Sequence, residues 1–556
     1  MLVLQERILN AFPQGKFYSL RKGGLILIPE CTETDCKEIC GVFDEAGWFC
    51  TDKREEGGVR FASYTDGKQM AQLSWSPKQK TKRIVLEDYA ELPTKKMDVQ
   101  VLAAPLITQM RLTYFAHDCG MVYLIRLCDG RFVIIDGGLA EHDEPEHFLK
   151  LLDSQNVLEG KPVIAAWFVT HPHCDHQDLL IYLMKNCPER FVLERFAYNF
   201  PTDDRAKGFS LSVAQLFEME ENLTATQVLT PRTGQRWYLG DATFDILFTS
   251  DDVCHEFMNN VNETSLVMRM ELGGYRVLWL ADAQGIACNQ ICRTYDPESL
   301  RCDILQVGHH GYTGGSPELF RRADPQVLIW PVPDCRYYEM YAYEYGWNDH
   351  LIQSKKITDV YVSGRQDYVL DMTKKPEDWR KQLELPEINP GDVLFSADFA
   401  GGSVYDLGWS CLVGGGIPHK PLNIELAEGE CKLTMLGEDR ACCELIQPHR
   451  MMTAPGYTLT LKGRSGSVCE EVGLYWNFHM PKLWRPENLL KLELGPDEDF
   501  EYQLCADYCG GTATLYRDGQ AVWQDRYIAN GRRGIYLLMK NAELTLREVK
   551  IVKGDC

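Results

Sequence analysis

Three imidazoles and one carboxylate fall within the six residues His171-Pro172-His173-Cys174-Asp175-His176, directly after the apolar run from Val163 to Val169. A turn leaving a buried strand can bring such groups to one point. Imidazole nitrogen with carboxylate oxygen is the donor set that suits zinc, iron or manganese. A cation held this way with an open coordination position does hydrolytic chemistry. A His-rich surface loop is the plain alternative. The order of donors straight after an apolar strand favours the metal site.

The elements that must position this run are legible around it. From Val99 to Met372 strand-like runs alternate with helix-length segments, the pattern of a layered α/β fold. Met121 to Leu127 and Arg131 to Ile135 flank Asp129-Gly130, a two-residue hairpin signal. Leu179, Leu180, Leu183 and Met184 then fall at helical spacing, so the His-rich turn joins a strand to a helix. Further strands are expected at Thr264 to Leu272, Arg276 to Leu280, Asp303 to Val307 and Gln326 to Trp330.

The flanks read differently. Residues 1–98 are short apolar runs broken by glycine and predict a β-rich leading domain. Residues 373–390 mix charge with three prolines and predict a linker. Residues 391–556 recur as short strands with Gly-rich turns, predicting an all-β sandwich. Its Trp409, Trp476, Trp484 and Trp523 offer either core packing, the favoured reading, or faces for sugar rings.

Composition narrows the function. The 80 acidic against 58 basic residues leave a net charge of −22, which sets extended nucleic acid aside as a first-choice partner. The N-terminus lacks the basic and apolar segments of a signal peptide, and no run reaches membrane-span length, so a cytoplasmic, membrane-free protein is expected. The 21 scattered cysteines fit a reducing compartment. Cys31-x4-Cys36-x3-Cys40 has no fourth ligand at zinc-finger spacing and reads as free thiols.

Four segments in order resemble the metallo-β-lactamase superfamily: Phe132 to Gly138 around Asp136, the His171 to His176 run, Leu278 to Ala283 around Asp282, and Leu305 to Gly311 around His309-His310. Phe115 to Gly120, with its His117 and Asp118, and Asn259 to Leu266 look like the subgroup containing competence DNA-uptake proteins and choline-phosphate esterases of teichoic acid. The resemblance covers about half the chain and implies an αββα sandwich between the two flanking β-rich domains, the last one similar to jelly-roll modules of carbohydrate-active enzymes.

By position, the resemblance implies two divalent metal ions, zinc first and manganese or iron next. His171 and His173 would hold one, Asp175 and His176 the other, and Asp282 both. One His of the pair completes the second position. His309 is favoured because it follows Gly308, which leaves His310 as proton donor. Asp175, Asp282 and His310 are then the catalytic set. A hydroxide between the cations is the implied nucleophile. One departure stands out: the only His between His176 and Asp282 is His255, outside a Gly-His context. The first metal would therefore take water, Asp251 or Asp252, and His255 reads as a solvent-facing or core residue. Asp136 either orients a metal-bound His or caps its turn. Cys174 reads as packed inward. His117, Asp118, Asn262 and Ser265 read as turn residues or substrate contacts.

The expected reaction is hydrolysis of a phosphoester or phosphodiester on a small-molecule or glycan-linked substrate. A lactonase, amidase or thioesterase and a competence-type nuclease are the enzymatic alternatives. A metal-stabilised binding module is the non-enzymatic one.

Overall fold

The computed structural model describes residues 2–112, 120–140, 143–202, 212–256, 260–333, 337, 348, 351, 354, 356–384, 388–400, 407, 409–412, 422–446, 455–478, 489–527 and 534–555. The chain forms two compact units, one running essentially from Met1 to Leu383 and the other chiefly Glu384–Cys556. No helix among the described residues is long and apolar enough to cross a membrane.

The first unit begins with a six-stranded antiparallel sheet, in spatial order Lys16–Ser19, Gly24–Ile28, Thr81–Asp88, Gln69–Ser76, Val59–Thr65 and Phe49–Glu56. Two helices that the apolar runs alone did not reveal, Leu2–Ala11 and Glu33–Glu45, cover one face, where Leu4, Ile8, Ile39 and Phe43 meet Ile26, Leu73 and Ile84. The other side is tied to the central region through buried charges. Arg232, 1% exposed, donates to Glu87 on this sheet (2.7 Å) and to Asp251 (2.9 Å). Arg269 likewise reaches Glu56 (3.0 Å) and Asp245 (2.6 Å). Removing one partner from such a buried pair costs about 3–5 kcal/mol, so these contacts fix the leading region in place.

Two sheets form the central region. The first runs Gln227–Leu229, Arg195–Tyr198, Val163–Val169, Phe132–Ile135, Tyr123–Arg126, Leu106–Gln109 and Tyr368–Asp371. The second runs Arg236–Leu239, Ala242–Phe248, Val267–Leu272, Tyr275–Trp279, Ile304–Gln306, Val327–Trp330 and Asp359–Val362. Both contribute to a single core that includes Ile135, Phe168, Phe244, Met268, Trp279 and Ile329. Val163–Val169 is parallel to both long neighbours and apolar along its whole length, as a strand covered on both faces must be. On the side away from the second sheet, Trp167 packs on Phe148 of the helix Glu144–Gln155, ring centroids 5.3 Å apart. The helices Gly285–Thr294 and Pro317–Ala323 belong to the second sheet's half, where the Tyr295 hydroxyl donates to Leu247 O.

The expected linker starts too early. Trp379 is 2% exposed, joins the central core and donates through Nε1 to Asp371 O (2.8 Å). Arg380 pairs with Asp359 (2.6 Å). The tryptophan's apolar area holds this segment on the first unit, whose last residue is Leu383.

In the second unit the strands among the described residues belong to one ten-stranded antiparallel sheet rather than to two separate ones. Three long strands, Glu430–Ile446, Tyr457–Phe478 and Gly534–Lys553, carry it. Their register breaks between Met435 and Arg440 and between Ser465 and Cys469, where extra residues let a strand bend. Residues from both halves of these strands meet in one core. Trp409 and Trp476 are buried there, and Trp523 packs against the Trp476 ring; Trp484 lies outside the described residues. Cys509 is disulfide-bonded, so the chain's cysteines are not all thiols.

Candidate metal centre

The strand Val163–Val169 ends at Thr170, and the helix Cys174–Asn186 begins four residues later with His173 as its N-cap. That short connection places His171 and His173 on the turn and Asp175 and His176 in the first helical turn. The crossing segment Asp136-Gly137-Gly138 pins the helix start, with Gly137 N donating to His176 O (2.7 Å). A Cβ on Gly137 would sit 3.1 Å from Leu180 N, which is why glycine stands there.

Asp136 is fully buried with φ 59° and makes three contacts. It accepts from Thr170 N (2.8 Å) and Thr170 Oγ1 (2.9 Å), and it holds His176 Nδ1 at 2.7 Å. It therefore orients His176 rather than merely capping its turn, and leaves His176 Nε2 facing the cleft.

Asp282 arrives from the second sheet. Ser265, fully buried, accepts from Asp282 N (3.2 Å), which makes it a support for Asp282 and not a surface contact for substrate. Gln306, unremarked in the sequence, accepts from Leu280 N (2.9 Å) and Ala281 N (2.6 Å) and so shapes the turn that presents the carboxylate. Its signal was a polar residue inside the apolar strand Ile304–Gln306. Asp282 Oδ2 lies 3.7 Å from His171 Nε2, 3.3 Å from His176 Nε2, 3.4 Å from His310 Nε2 and 4.0 Å from His309 Nε2.

Among the described residues two groups result, each with donor atoms within 4.8 Å of one another: Asp175, His176, Asp282 and His310, and His171, His173 and Asp282. His310, not the expected His309, enters the first of these. The turn Gly308–Gly311 puts both histidines in the left-handed region (φ 48° and 53°), so consecutive rings point different ways. Gly311 (φ 88°) completes the turn where a Cβ would meet the Trp330 ring at 2.5 Å. His310 Nδ1 donates to Pro331 O (2.8 Å), which leaves the Nε2 lone pair for the cleft. His309 Nδ1 instead accepts from Gln284 Nε2 (2.9 Å) and faces Thr313 Oγ1 (3.1 Å), which turns its ring away from the place that His310 takes. Asn262, buried, places its amide nitrogen Nδ2 3.0 Å from His309 Nε2, so amide donors face both ring nitrogens. Gln284 and Thr313 are neighbours that sequence reasoning missed.

The electrostatics separate the groups. Burial opposes a charge on His176, yet Asp282, Asp136 and Asp175 around it push its pKa well above the ordinary histidine value. His310 behaves likewise: burial opposes its charge, and Asp282 and Asp175 outweigh it. His171 goes the other way, burial and the neighbouring His176 holding it well below. Burial also lowers His173 and His309. His176 Nε2, His310 Nε2 and Asp282 Oδ1 are buried and make no hydrogen bond, which fits divalent cations as their partners.

Other expected residues are placed elsewhere. Asp251 is taken by Arg232 and by Asn199 (3.0 Å), and Asp252 by Arg83 (3.0 Å) and Thr249 N (2.8 Å), so neither completes the group around His171. His255 packs beside the Tyr18 ring, 5.7 Å between centroids. It borders a cavity of about 780 Å³ that also meets Phe61, Arg83, Glu263 and Gln290, away from the histidine cluster. Cys174 is exposed, not packed inward. His117 and Asp118 lie outside the described residues.

No family model matches this chain, and no curated protein matches it. Among solved structures it is similar to the metallo-β-lactamase fold protein YhfI from Bacillus subtilis, at 14% identity over 48% of this chain and 99% of that one, TM-score 0.30. It is similar to CmlA, a diiron β-hydroxylase from Streptomyces venezuelae, at 12% identity over 51% of this chain and 55% of that one, TM-score 0.31. It is also similar to the carbohydrate recognition domain of Emp46p, at 12% identity over 30% of this chain and 99% of that one, TM-score 0.22. At these scores the likenesses carry no residue roles to this chain.

Proposed function

We propose that the chain is a metal-dependent hydrolase of the metallo-β-lactamase type, its central region an αββα sandwich, acting on a phosphoester and by preference a phosphodiester. One observation carries the reading: a single buried carboxylate oxygen, Asp282 Oδ2, lies within 4.0 Å of four imidazole nitrogens from two sheets. His171, His173 and Asp282 would hold one divalent cation, and Asp175, His176, Asp282 and His310 the other, zinc being the first choice. When bound, the pair supplies Lewis acidity to the scissile ester and lowers the pKa of an attacking water.

The residues do the rest. Asp136 and Pro331 O fix the rings of His176 and His310, so no reorientation is needed as charge develops. His309, kept neutral by burial and facing the cleft beside Asn262, is placed to hydrogen-bond the phosphoryl group and not to act as its acid. A phosphoester suits this centre because its transition state spreads negative charge over several oxygens, which two cations held side by side would offset.

The test is elemental analysis of protein purified without chelator, followed by turnover of nitrophenyl phosphodiester, monoester, carboxylic ester and lactam substrates. One to two equivalents of metal and fastest turnover of the diester are expected. Metal far below one equivalent sinks the hydrolase reading, and preference for the ester or lactam sinks the phosphoester.

A further inference from the structure

The start of the helix Glu33–Glu45 in the leading region is a capping box: Asp35 N donates to Thr32 Oγ1 (3.2 Å), and Thr32 N donates to Asp35 Oδ2 (2.7 Å). In this motif the residue before the cap and the fourth helical residue are brought into contact, usually as an apolar staple. Here those two residues are Cys31 and Cys36, and their sulfurs lie 3.6 Å apart. Cys31 is held from both sides, its N donating to Lys80 O (2.7 Å) and its O accepting from Trp75 Nε1 (3.0 Å). The cap thus presses two thiols together at a spot the backbone cannot leave without unwinding the helix.

We propose that Cys31 and Cys36 form a redox modification site that a peroxide converts to an intramolecular disulfide. The roles follow from exposure and charge. Cys31 is 1% exposed, whereas Cys36 is only partly covered. Cys36 also sits in the first turns of a 13-residue helix, whose amino end favours a thiolate. The hydrogen bond from Cys31 lowers the Cys36 pKa, and Lys82 adds to the effect against burial and Asp35. Cys36 therefore attacks the peroxide oxygen, forming a sulfenic acid and releasing hydroxide, which leaves as water. The Cys31 sulfur then attacks the Cys36 sulfur: the S–S bond forms, the S–O bond breaks, and a second water leaves with the Cys31 proton. Two thiols and one peroxide become one disulfide and two waters, the sulfurs losing the two electrons that the oxygens gain.

The test uses the reduced full-length chain, a few equivalents of hydrogen peroxide, quenching with iodoacetamide, and tryptic mass spectrometry. Cleavage after Lys22 and Lys37 puts both cysteines, and no other, in one peptide. That peptide is expected to lose both alkylation sites and two hydrogen atoms, roughly tenfold faster than the exposed Cys50 is consumed. In Cys31→Ser the disulfide is expected to vanish and Cys36 to accumulate as a sulfenic acid trapped by dimedone. Two alkyl groups on the wild-type peptide after Cys50 has reacted would overturn the proposal without any variant. So would a disulfide between Cys36 and Cys40 that forms in Cys31→Ser at the wild-type rate.

Discussion

The two donor groups that share Asp282 are unequal. The group around His176 has four side chains, and each of its imidazoles gives its second nitrogen to a strong acceptor, Asp136 or Pro331 O. The group around His171 has three, and His171 is backed only by the Thr170 hydroxyl at 3.2 Å. The difference teaches where each half of the chemistry belongs. A cation with more ligands and firmer support stays put, while a position with fewer protein ligands keeps more room for water and substrate oxygens. On this view the His176 side anchors and the His171 side exchanges.

The largest break in that comparison is Asp282→Ala, which removes the one ligand common to both groups. Turnover is expected to fall at least about a thousandfold, roughly 4 kcal/mol of barrier, with metal content dropping on both sides. Activity within about tenfold of wild type would show that the carboxylate does not bridge.

Next comes the histidine pair. His310→Ala should lose about one equivalent of metal along with activity, whereas His309→Ala should keep its metal and lose about tenfold in turnover, the scale of one hydrogen bond. The reverse pattern by elemental analysis would return His309 to the ligand set.

A smaller effect tests the support. Asp136→Asn should weaken the His176-side metal by about 10–100-fold in a competitive chelator titration while sparing the other side. Equal weakening of both would mean that Asp136 holds the turn and not the ring.

The mildest test is pH. In metal-free protein His176 and His310 are raised and carry protons, so a cation entering their group must expel them, and its affinity falls as pH falls. His171 and His173 are lowered and already neutral, so their group needs no such release. Isothermal titration in buffers of different ionisation enthalpy should therefore find protons released at the His176 side and almost none at the other; equal release at both would contradict the asymmetry.

How far these residues were legible depended on how local their signal is. The His171 to His176 run was readable because a strand-turn-helix connection brings neighbours in sequence together in space. The choice between His309 and His310 was not, since it rests on two left-handed residues and on Pro331 and Gln284, all decided by the packing of the second sheet. Asp251 and Asp252 looked like spare ligands until Arg232 and Arg83 claimed them. Trp379 read as part of a proline-bearing linker because its charged neighbours outweigh one aromatic in composition, yet one buried indole suffices to hold the segment. The helix Glu33–Glu45 was missed because short apolar runs broken by glycine dominate that stretch, although Thr32 and Asp35 stand three residues apart as a capping box does.

What the sequence determined alone was the donor chemistry, the alternation of strand and helix in the centre, and the β-rich ends, all properties of residues close along the chain. Tertiary structure decided which nitrogen of which histidine faces Asp282, which carboxylates are spent on arginines, and where the first unit ends. Those choices are made by hydrogen bonds and ion pairs between segments tens to hundreds of residues apart, and no local pattern encodes the distance between such groups.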